Sequence, residues 1–206
     1  LYGGRVSLTI GIISVGIGLL CGGSLGVLAA YYGGLAETAI MRIIDILMAI
    51  PSIILSISIC AALGSGIVNT MIAVGISSIP TYARVFRSAV ISEKSKEYIE
   101  ASKAVGAGNA RIILRHILPN SLAPVIVQAS LGVAQAITTA ASLSFIGLGI
   151  QPPNPEWGAL LSGGRQYIRD YPHMVVYPGI AIMLTVLALN LIGDGLRDAL
   201  DPRLKR

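Results

Sequence analysis

Five apolar segments, each long enough to cross a lipid bilayer, constrain this chain more than any other feature of its sequence. They cover residues 6–30, 35–62, 66–91, 120–145 and 173–193. A membrane-spanning helix needs about 20 mostly apolar residues. Lipid offers the backbone no hydrogen-bond partners, so a single span of this kind must be helical. The segments therefore predict an all-α, polytopic transmembrane helix bundle with five spans.

Composition excludes a soluble domain and gives no sign of catalysis or metal binding. Only 12% of the residues are charged, whereas a soluble domain carries about 25%. Cys21 and Cys60 both fall inside apolar segments without metal-ligand spacing, so we expect core cysteines rather than a disulfide framework. His116 and His173 are predicted on opposite sides of the membrane. No catalytic residues, metal site or cofactor are predicted, and the chain is not expected to be an enzyme.

The basic residues predict the orientation of the bundle. Two long polar connections, 92–118 and 146–172, separate the later segments. If 92–118 and the tail 194–206 lie on one side of the membrane, then that side, with Arg42, Arg84 and Arg87 at the adjoining ends of the spans, carries all but three of the 15 basic residues. The exceptions are Arg5, Arg165 and Arg169. Because cytoplasmic loops carry the excess of Lys and Arg, 92–118 and the C-terminus are predicted to be cytoplasmic and 146–172 to face outside. The positive net charge then needs no nucleic acid to explain it.

Two features of the first two segments concern packing. Small residues recur every fourth position in the first one, at Ser14, Gly18, Gly22 and Gly26, and such a face is suited to close helix packing. In the second, Arg42 and Asp45 are three residues apart and are expected to form a local pair. Pro51 is expected to kink the second span.

The connection 146–172 contains a short amphipathic helix by its sequence pattern. Asn154 is the predicted N-cap, with Pro155 and Glu156 in the first turn. Trp157, Leu160 and Leu161 begin its apolar face. The stretch "LSGGRQ" (161–166) resembles the LSGGQ sequence of ATP-binding cassette ATPases. The chain has no phosphate-binding loop, however, and this connection is predicted to face outside, so the match is interpreted as accidental.

The connection 92–118 contains the most informative stretch, "EYIEASKAVGAGNARIILRHILPNSLAP". Residues 97–105 are predicted to form a helix with Tyr98, Ala101 and Val105 on its apolar face. Gly106-Ala107-Gly108 ends it, Asn109 is the expected cap of a second helix to about Leu118, and Pro119 marks the turn into the next span. We call residues 97–118 the bracket. A short amphipathic helix here either lies on lipid or docks into a partner.

The spacing in this stretch resembles the EAA loop of ABC importer permeases, which reads E-A-A, three residues, G, nine residues, I-x-L-P. The matching positions are Glu100, Ala101, Ser102, Gly106, Leu118 and Pro119. Ser102 departs from the usual second Ala, and His116 stands where Ile is usual. The resemblance implies that the six matching residues couple the chain to partner ATPases.

Further stretches extend the resemblance over essentially the whole chain. "MRIIDILMAIPSIIL", "SLSFIGLGIQPPNPEWGALL" and "NLIGDGLRDALDPRLKR" are similar to the C-type permease of dipeptide, oligopeptide and nickel importers. Those permeases usually have six spans. Because this chain also begins with Leu1 rather than Met, we expect that one span before residue 1 is missing and that residues 1–206 are a single permease domain.

The resemblance implies a function and a set of partners. The chain is expected to be a permease subunit of an ATP-driven importer of di- or oligopeptides in a bacterial or archaeal cytoplasmic (inner) membrane. Its expected partners are two ABC ATPase subunits, a homologous second permease and an extracytoplasmic substrate-binding protein. Trp157, Arg165 and Arg169 are the residues expected to support docking of that binding protein. The sequence does not identify the residues that contact substrate.

Three alternatives remain open. The same architecture imports nickel, metal chelates or glutathione in related systems. A secondary transporter would favour ionisable groups near the bilayer midplane and inverted repeats, neither of which is evident. A structural or assembly protein of the membrane would need neither the outer helix nor the bracket.

Overall fold

The computed structural model describes residues 2–200, which are helical almost throughout and contain no strand. In chain order the helices are α1 (Tyr2–Tyr32), α2 (Gly34–Met48), α3 (Ser52–Leu63), α4 (Ile67–Lys94), α5 (Glu97–Ala104), α6 (Asn109–Ile112), α7 (Leu118–Asn120), α8 (Leu122–Phe145), α9 (Trp157–Gly164) and α10 (His173–Leu200). A π-helical turn, Ile113–Ile117, joins α6 to α7, and a 3₁₀ turn, Arg165–Tyr167, follows α9. The predicted all-α bundle is confirmed.

Three helices within residues 2–200 are long and apolar enough to cross a membrane alone, namely α1, α8 and α10. Helices α2 and α3 together meet the same test, but an 85° bend separates them. Helix α4 has 28 residues and is more polar, because Asn69, Ser77, Ser78, Thr81 and Arg84 interrupt its apolar sequence. The count of five spans therefore stays a prediction.

Helix α4 lies at the centre of the bundle and makes its most extensive contact with α1. The small residues of α1 form this contact. A Cβ atom at Gly22 would lie 2.4 Å from the carbonyl oxygen of Ile79, and one at Gly26 would lie 2.3 Å from that of Ala83. The Ser14 hydroxyl donates to the carbonyl of Met71 at 3.1 Å, and a Cβ at Gly18 would meet the Ser78 and Tyr82 side chains. Only very small residues allow two helix backbones to approach this closely.

The second predicted span is broken rather than merely kinked at Pro51. Helix α2 ends at Met48 and α3 begins at Ser52, with Pro51 in an extended conformation (φ −53°, ψ 131°). Proline has no backbone N–H and disfavours helical geometry at the residue before it. These two effects end α2 and allow α3 to leave at a large angle.

Two ion pairs hold α2 against α4, and they replace the pair predicted within α2. Asp45 accepts a hydrogen bond from Arg84 at 2.7 Å, and Glu37 pairs with Arg87. The predicted Arg42–Asp45 pair is wrong, because the fold brings a better-placed arginine of α4 to Asp45. The end of the bundle that carries these pairs also carries the bracket.

Of the basic residues near the C-terminus, only one lies among the described residues. Arg197 lies in the last turn of α10. Arg203, Lys205 and Arg206, which the charge argument placed on the side of 92–118, lie outside the described residues.

Candidate functional site

The bracket is seated on the bundle through three isoleucines. Ile99 of α5, Ile112 of α6 and Ile117 of the π-helical turn are each fully buried, and they share one core cluster with Tyr31 of α1 and Val90 of α4. The predicted apolar face of α5 is not the seated one. Tyr98 and Ala101 are exposed, and Val105 is 84% exposed. Ile99 is the residue of α5 that is buried, so the predicted face is not the one that packs in the core, and Ala101 and Val105 are left exposed.

The π-helical turn explains how the second part of the bracket accommodates His116. In an unbroken α-helix, residues five apart such as Ile112 and Ile117 would point about 140° apart. A π-helical turn contains an extra residue, and here both isoleucines face the same core. His116, at the position where Ile is usual, is partly exposed beside the buried Ile117.

Gly106 ends α5 in a left-handed conformation, with φ +82°. The Gly106 N–H donates to the Lys103 carbonyl at 2.9 Å, and the Ala107 N–H donates to the Ser102 carbonyl at 3.1 Å. These two bonds form a Schellman motif, which favours glycine at this position because a Cβ atom opposes positive φ. The next helix is capped by the Gly108 backbone, and the predicted Asn109 cap is wrong.

Asn109 instead accepts a hydrogen bond that ties the bracket to α1. The Tyr31 hydroxyl donates to Asn109 Oδ1 at 2.8 Å. Lys94, the last residue of α4, donates from Nζ to the carbonyls of Tyr31 at 2.5 Å and Ala30 at 3.2 Å. A lysine at this place satisfies carbonyls that the end of α1 leaves without partners. The ends of α1 and α4 and the start of α6 are thereby joined.

A second network joins α4, α5 and α7 around Glu93, a residue that sequence reasoning missed. The buried Glu93 carboxylate accepts hydrogen bonds from Lys96 Nζ at 2.6 Å and from the Tyr98 hydroxyl at 2.7 Å. Asn120 Nδ2 donates to the Tyr98 oxygen at 3.4 Å and to the His116 carbonyl at 2.7 Å. No local pattern distinguishes Glu93 from the neighbouring polar residues, because its partners come together only in the fold.

Burial and the hydrogen-bond partners shift the pKa of two groups in this network. Burial raises the pKa of the Glu93 carboxyl, but the hydrogen bonds from Lys96 and Tyr98 and the charge of Lys96 outweigh it, so the pKa lies below its ordinary value. Burial, together with the hydrogen bond to Glu93 and its charge, raises the pKa of the Tyr98 phenol. At neutral pH the carboxylate is therefore ionised and the phenol remains a donor.

Some residues of the EAA-like pattern are exposed and others are partly buried. Glu100, Ala101, Gly106 and Pro119 are exposed, whereas Ser102 and Leu118 are partly buried. The Ser102 hydroxyl donates to the Tyr98 carbonyl at 2.8 Å. Lys96 pairs with Glu93 rather than with Glu100, and Glu100 has no ion-pair partner among residues 2–200. The bracket thus presents a carboxylate and the apolar Ala101 and Val105 on its outward face.

At the opposite end of the bundle, α9 is anchored by Trp157 and Glu156. The Trp157 ring covers Gly4 of α1, where a Cβ atom would lie 2.8 Å from it. Glu156, fully buried, accepts from the Ser7 hydroxyl at 3.1 Å and caps α9 by accepting from the Ala159 N–H at 2.9 Å. The predicted Asn154 cap is therefore wrong. Glu156 is the N-cap, and its hydrogen bond with Ser7 holds it in that place.

The two arginines of this connection remain on the surface. Arg165 lies 5.8 Å from the centroid of the Phe145 ring, and Arg165 and Arg169 are both exposed. The structure therefore brings Trp157 into the packing against α1 and leaves the two charges accessible. Within residues 2–200, no group of three His, Cys, Asp or Glu side chains is arranged to hold a metal ion.

Comparisons with known proteins agree on one family. The model of the family described as "Binding-protein-dependent transport system inner membrane component" matches residues 22–206. A dipeptide transport system permease protein of Alkalihalophilus pseudofirmus is 53% identical over 204 residues, which are 99% of this chain and 67% of that protein. A glutathione transport system permease protein of Pectobacterium atrosepticum is 51% identical over 205 residues, covering 100% of this chain and 68% of that protein.

Solved structures show the same fold. A chain from the inward-facing MetNI methionine ABC transporter superposes with a TM-score of 0.76, covering 97% of this chain and 94% of that one at 21% sequence identity. A chain from an amino acid ABC transporter with histidines has a TM-score of 0.68 at 13% identity, with 94% and 90% covered. At these identities the likeness shows the fold alone.

Proposed function

The chain belongs to the family of inner-membrane components of binding-protein-dependent transport systems, and from this membership we propose that it is the permease subunit of an ATP-driven importer of di- or oligopeptides. The resemblance seen in the sequence is thereby confirmed at the level of the family. Its similarity to a dipeptide permease and a glutathione permease at about equal identity supports a peptide cargo. Glutathione is the second candidate, since the identity to that permease is only two percentage points lower.

The single observation that carries a coupling role is the outward face of the bracket. It presents the carboxylate of Glu100, which has no ion-pair partner among residues 2–200, beside Ala101 and the largely exposed Val105. A short helix with exposed apolar residues is suited to a groove on a partner protein, and a carboxylate beside them suits a charge-assisted hydrogen bond. We assign the partner role to two ABC ATPase subunits, which hydrolyse ATP while this chain remains non-catalytic.

Contacts of the bracket supply a path for mechanical coupling. Ile99, Ile112 and Ile117 pack in the same core cluster as parts of α1 and α4, and the Glu93 network joins α4, α5 and α7. Packed cores transmit displacement because their interiors are dense. Rigid-body motion of the ATPase subunits would move the bracket, and with it α4 and α8, so that the pathway opens alternately to each face. A homologous second permease completes the pathway, and an extracytoplasmic binding protein delivers the cargo.

Reconstitution of the importer tests this function. The permease is co-expressed with its sister permease and ATPase subunits, placed in liposomes and supplied with binding protein and labelled alanyl-alanine. We expect uptake that requires both ATP and the binding protein. Uptake driven by an ion gradient without ATP would instead indicate a secondary transporter. Mass spectrometry of the ligand that the purified binding protein retains distinguishes peptide, glutathione and nickel cargo.

Labelling in intact cells tests the proposed orientation. In a background carrying Cys21→Ala and Cys60→Ala, Gln166→Cys is expected to react with a membrane-impermeant thiol reagent, and Lys103→Cys only after permeabilisation. Both side chains are exposed. Lys103 is chosen rather than Lys96 because Lys96 forms an ion pair with Glu93. Labelling of the Lys103 site in intact cells would show that the bracket does not face the cytoplasm.

Charge reversal at the opposite end tests docking of the binding protein. Arg165→Glu and Arg169→Glu are each expected to raise the concentration of binding protein needed for half-maximal ATPase stimulation by about fivefold, as expected for a surface charge pair. Arg165→Lys and Arg169→Lys keep the charge and serve as controls. Trp157 lies against Gly3 and Gly4 of α1 and is assigned to anchoring α9. If neither reversal changes the stimulation curve, these charges take no part in docking.

A further inference from the structure

A groove between α1, α3, α4, α8 and α10 is lined with uncharged polar side chains. It encloses about 350 Å³, within the ~300–1,000 Å³ of typical ligand pockets. Its polar lining includes three amides, Gln128, Gln135 and Asn190, and several hydroxyls, among them Ser77, Ser78 and Thr81. Of the described residues that line it, none is charged. We call this cavity the amide groove.

The amide side chains of the groove are unsuited to contact with lipid. Gln128 and Gln135 are seven residues apart, which is about two helical turns, so they lie on the same face of α8. They lie within the apolar span α8, and Asn190 lies within α10. Side-chain amides are costly in hydrocarbon and face the bundle interior or a water-filled cavity. Gln135 is nevertheless exposed at the surface of the isolated chain, so this face of the bundle meets water, solute or protein.

The amide side chains of the groove have no hydrogen-bond partner within residues 2–200, whereas several hydroxyls on the same helices do. On α8, Ser130, Thr138 and Thr139 each donate to a carbonyl about one turn earlier. In α4, Ser77 and Ser78 do the same. Across residues 2–200, the side chains of Gln128, Gln135 and Asn190 make no hydrogen bond. Each amide offers two donors and an acceptor with two lone pairs, so the groove displays free capacity of both kinds.

Beside the groove, Tyr82 of α4 packs closely against Gly132 of α8. Tyr82 is 1% exposed, and its hydroxyl lies where a Cβ atom at Gly132 would come within 2.1 Å. Gly132 therefore leaves room for the Tyr82 hydroxyl where α4 and α8 approach. A cavity of this size whose amide side chains have no partner within the described residues has the character of a ligand site.

We propose that the amide groove is this chain's part of the solute pathway and that its amides hydrogen-bond the peptide backbone of the passing solute without selecting side-chain charge. The inference rests on the proposed function of peptide import. A peptide unit carries one N–H donor and one C=O acceptor, which match a side-chain amide. Passage requires binding weak enough to release the solute. Neutral hydrogen bonds are weaker than charge-assisted ones, and a fixed charge would hold one class of peptide and repel another.

Transport by groove variants gives the first test. In the reconstituted importer, the double variant Gln128→Leu/Gln135→Leu is expected to take up alanyl-alanine, lysyl-alanine and aspartyl-alanine about tenfold more slowly than the parent, by the same factor for each. Gln135→Glu is expected to slow aspartyl-alanine more than lysyl-alanine, because it introduces a like charge. Thr138→Val removes a hydroxyl from α8 outside the groove and serves as the control. Parental uptake by the double variant, or a loss confined to one charge class, overturns the proposal.

Thiol accessibility gives a second test that does not depend on transport rate. In the assembled complex lacking Cys21 and Cys60, Asn190→Cys is expected to react with a charged thiol reagent and to be protected by excess alanyl-alanine. Ile192→Cys, two residues further along α10 and on its opposite face, is expected not to react. Absence of labelling at position 190 would show that the sister permease covers this face, which also overturns the proposal.

The two tests separate this inference from the proposed function. If the unmodified importer shows no ATP-dependent uptake of any of the three dipeptides, peptide import itself is wrong. If it takes them up and the amide variants behave as the parent does, only the assignment of the groove is wrong.

Discussion

Replacement of Gly106 by valine is expected to abolish ATP-driven uptake while leaving membrane insertion unchanged. Gly106 has φ +82°, and a Cβ atom there would meet nothing within 4 Å. The cost therefore comes from the backbone conformation and not from crowding. A left-handed residue other than glycine costs about 1–2 kcal/mol, and a β-branched one is a strong outlier. A cost of about 2 kcal/mol depopulates the native turn by about thirtyfold, which turns the outward face of α5 away from its partner.

The chain offers two matched controls for this substitution. Gly108 also has open space around it, but its φ is −68°, which valine adopts readily, so Gly108→Val is expected to keep uptake. Gly106→Asn is expected to retain most activity, because asparagine tolerates the left-handed region. Uptake is measured with ATP-loaded proteoliposomes, and folding by size-exclusion chromatography. Full uptake by Gly106→Val at normal yield would mean that the turn does not position a coupling element.

The variant Glu100→Lys tests the proposed contact with the ATPase subunits without changing the turn at Gly106. Glu100 is exposed and has no ion-pair partner within the described chain, so reversing its charge is expected to leave the permease folded. The ATPase subunits should then be lost on co-purification, or their activity should cease to respond to substrate. Lys103→Glu on the same helix changes charge in the opposite sense and reports non-specific effects.

Replacement of Gly22 by leucine is expected to destabilise the bundle strongly. The new Cβ would lie 2.4 Å from the Ile79 carbonyl oxygen, which belongs to the backbone of α4 and moves only if the two helices separate. Overpacking of a core usually costs about 1–3 kcal/mol. For a chain of this length, 3 kcal/mol lowers the melting temperature by about 6–12 °C. Melting in mild detergent and the yield of monodisperse protein measure the effect.

Gly16→Leu provides the comparison for Gly22→Leu. A Cβ at Gly16 would meet nothing within 4 Å, although the helix, the substitution and the added volume are the same. We expect Gly16→Leu to melt close to the parent. Equal melting temperatures for the two variants would show that the contact between α1 and α4 adjusts to a large side chain at its centre.

The sequence predicted the features that depend on local composition and spacing. Apolar lengths predicted the helical bundle, because lipid leaves the backbone no other way to satisfy its hydrogen bonds. The small residues Ser14, Gly18, Gly22 and Gly26 lie along the contact of α1 with α4. The spacing of Glu100, Gly106 and Leu118-Pro119 indicated the family to which the chain belongs. The roles of the bracket residues and of Arg165 and Arg169 stay predictions.

The predicted ion pair and the two predicted helix caps were wrong where more than one residue could make the contact. Asp45 has Arg42 three residues away in the sequence, but it pairs with Arg84 of α4. Asn109 and Asn154 have good cap chemistry, yet the Gly108 backbone and the Glu156 side chain are the caps. In each case a distant helix supplied a competing contact, Tyr31 for Asn109 and Ser7 for Glu156. Local propensity is too weak to override such contacts.

The sequence by itself determined that this chain is a helical membrane protein and a transport permease, since hydropathy and motif spacing are read along one segment at a time. Only the tertiary structure decided which face of α5 is seated, through Ile99, and that Glu93 joins α4 to the bracket. It also brought the amides of α8 and α10 into one groove. These contacts join residues far apart in the chain, and their geometry is set by how closely whole helices pack.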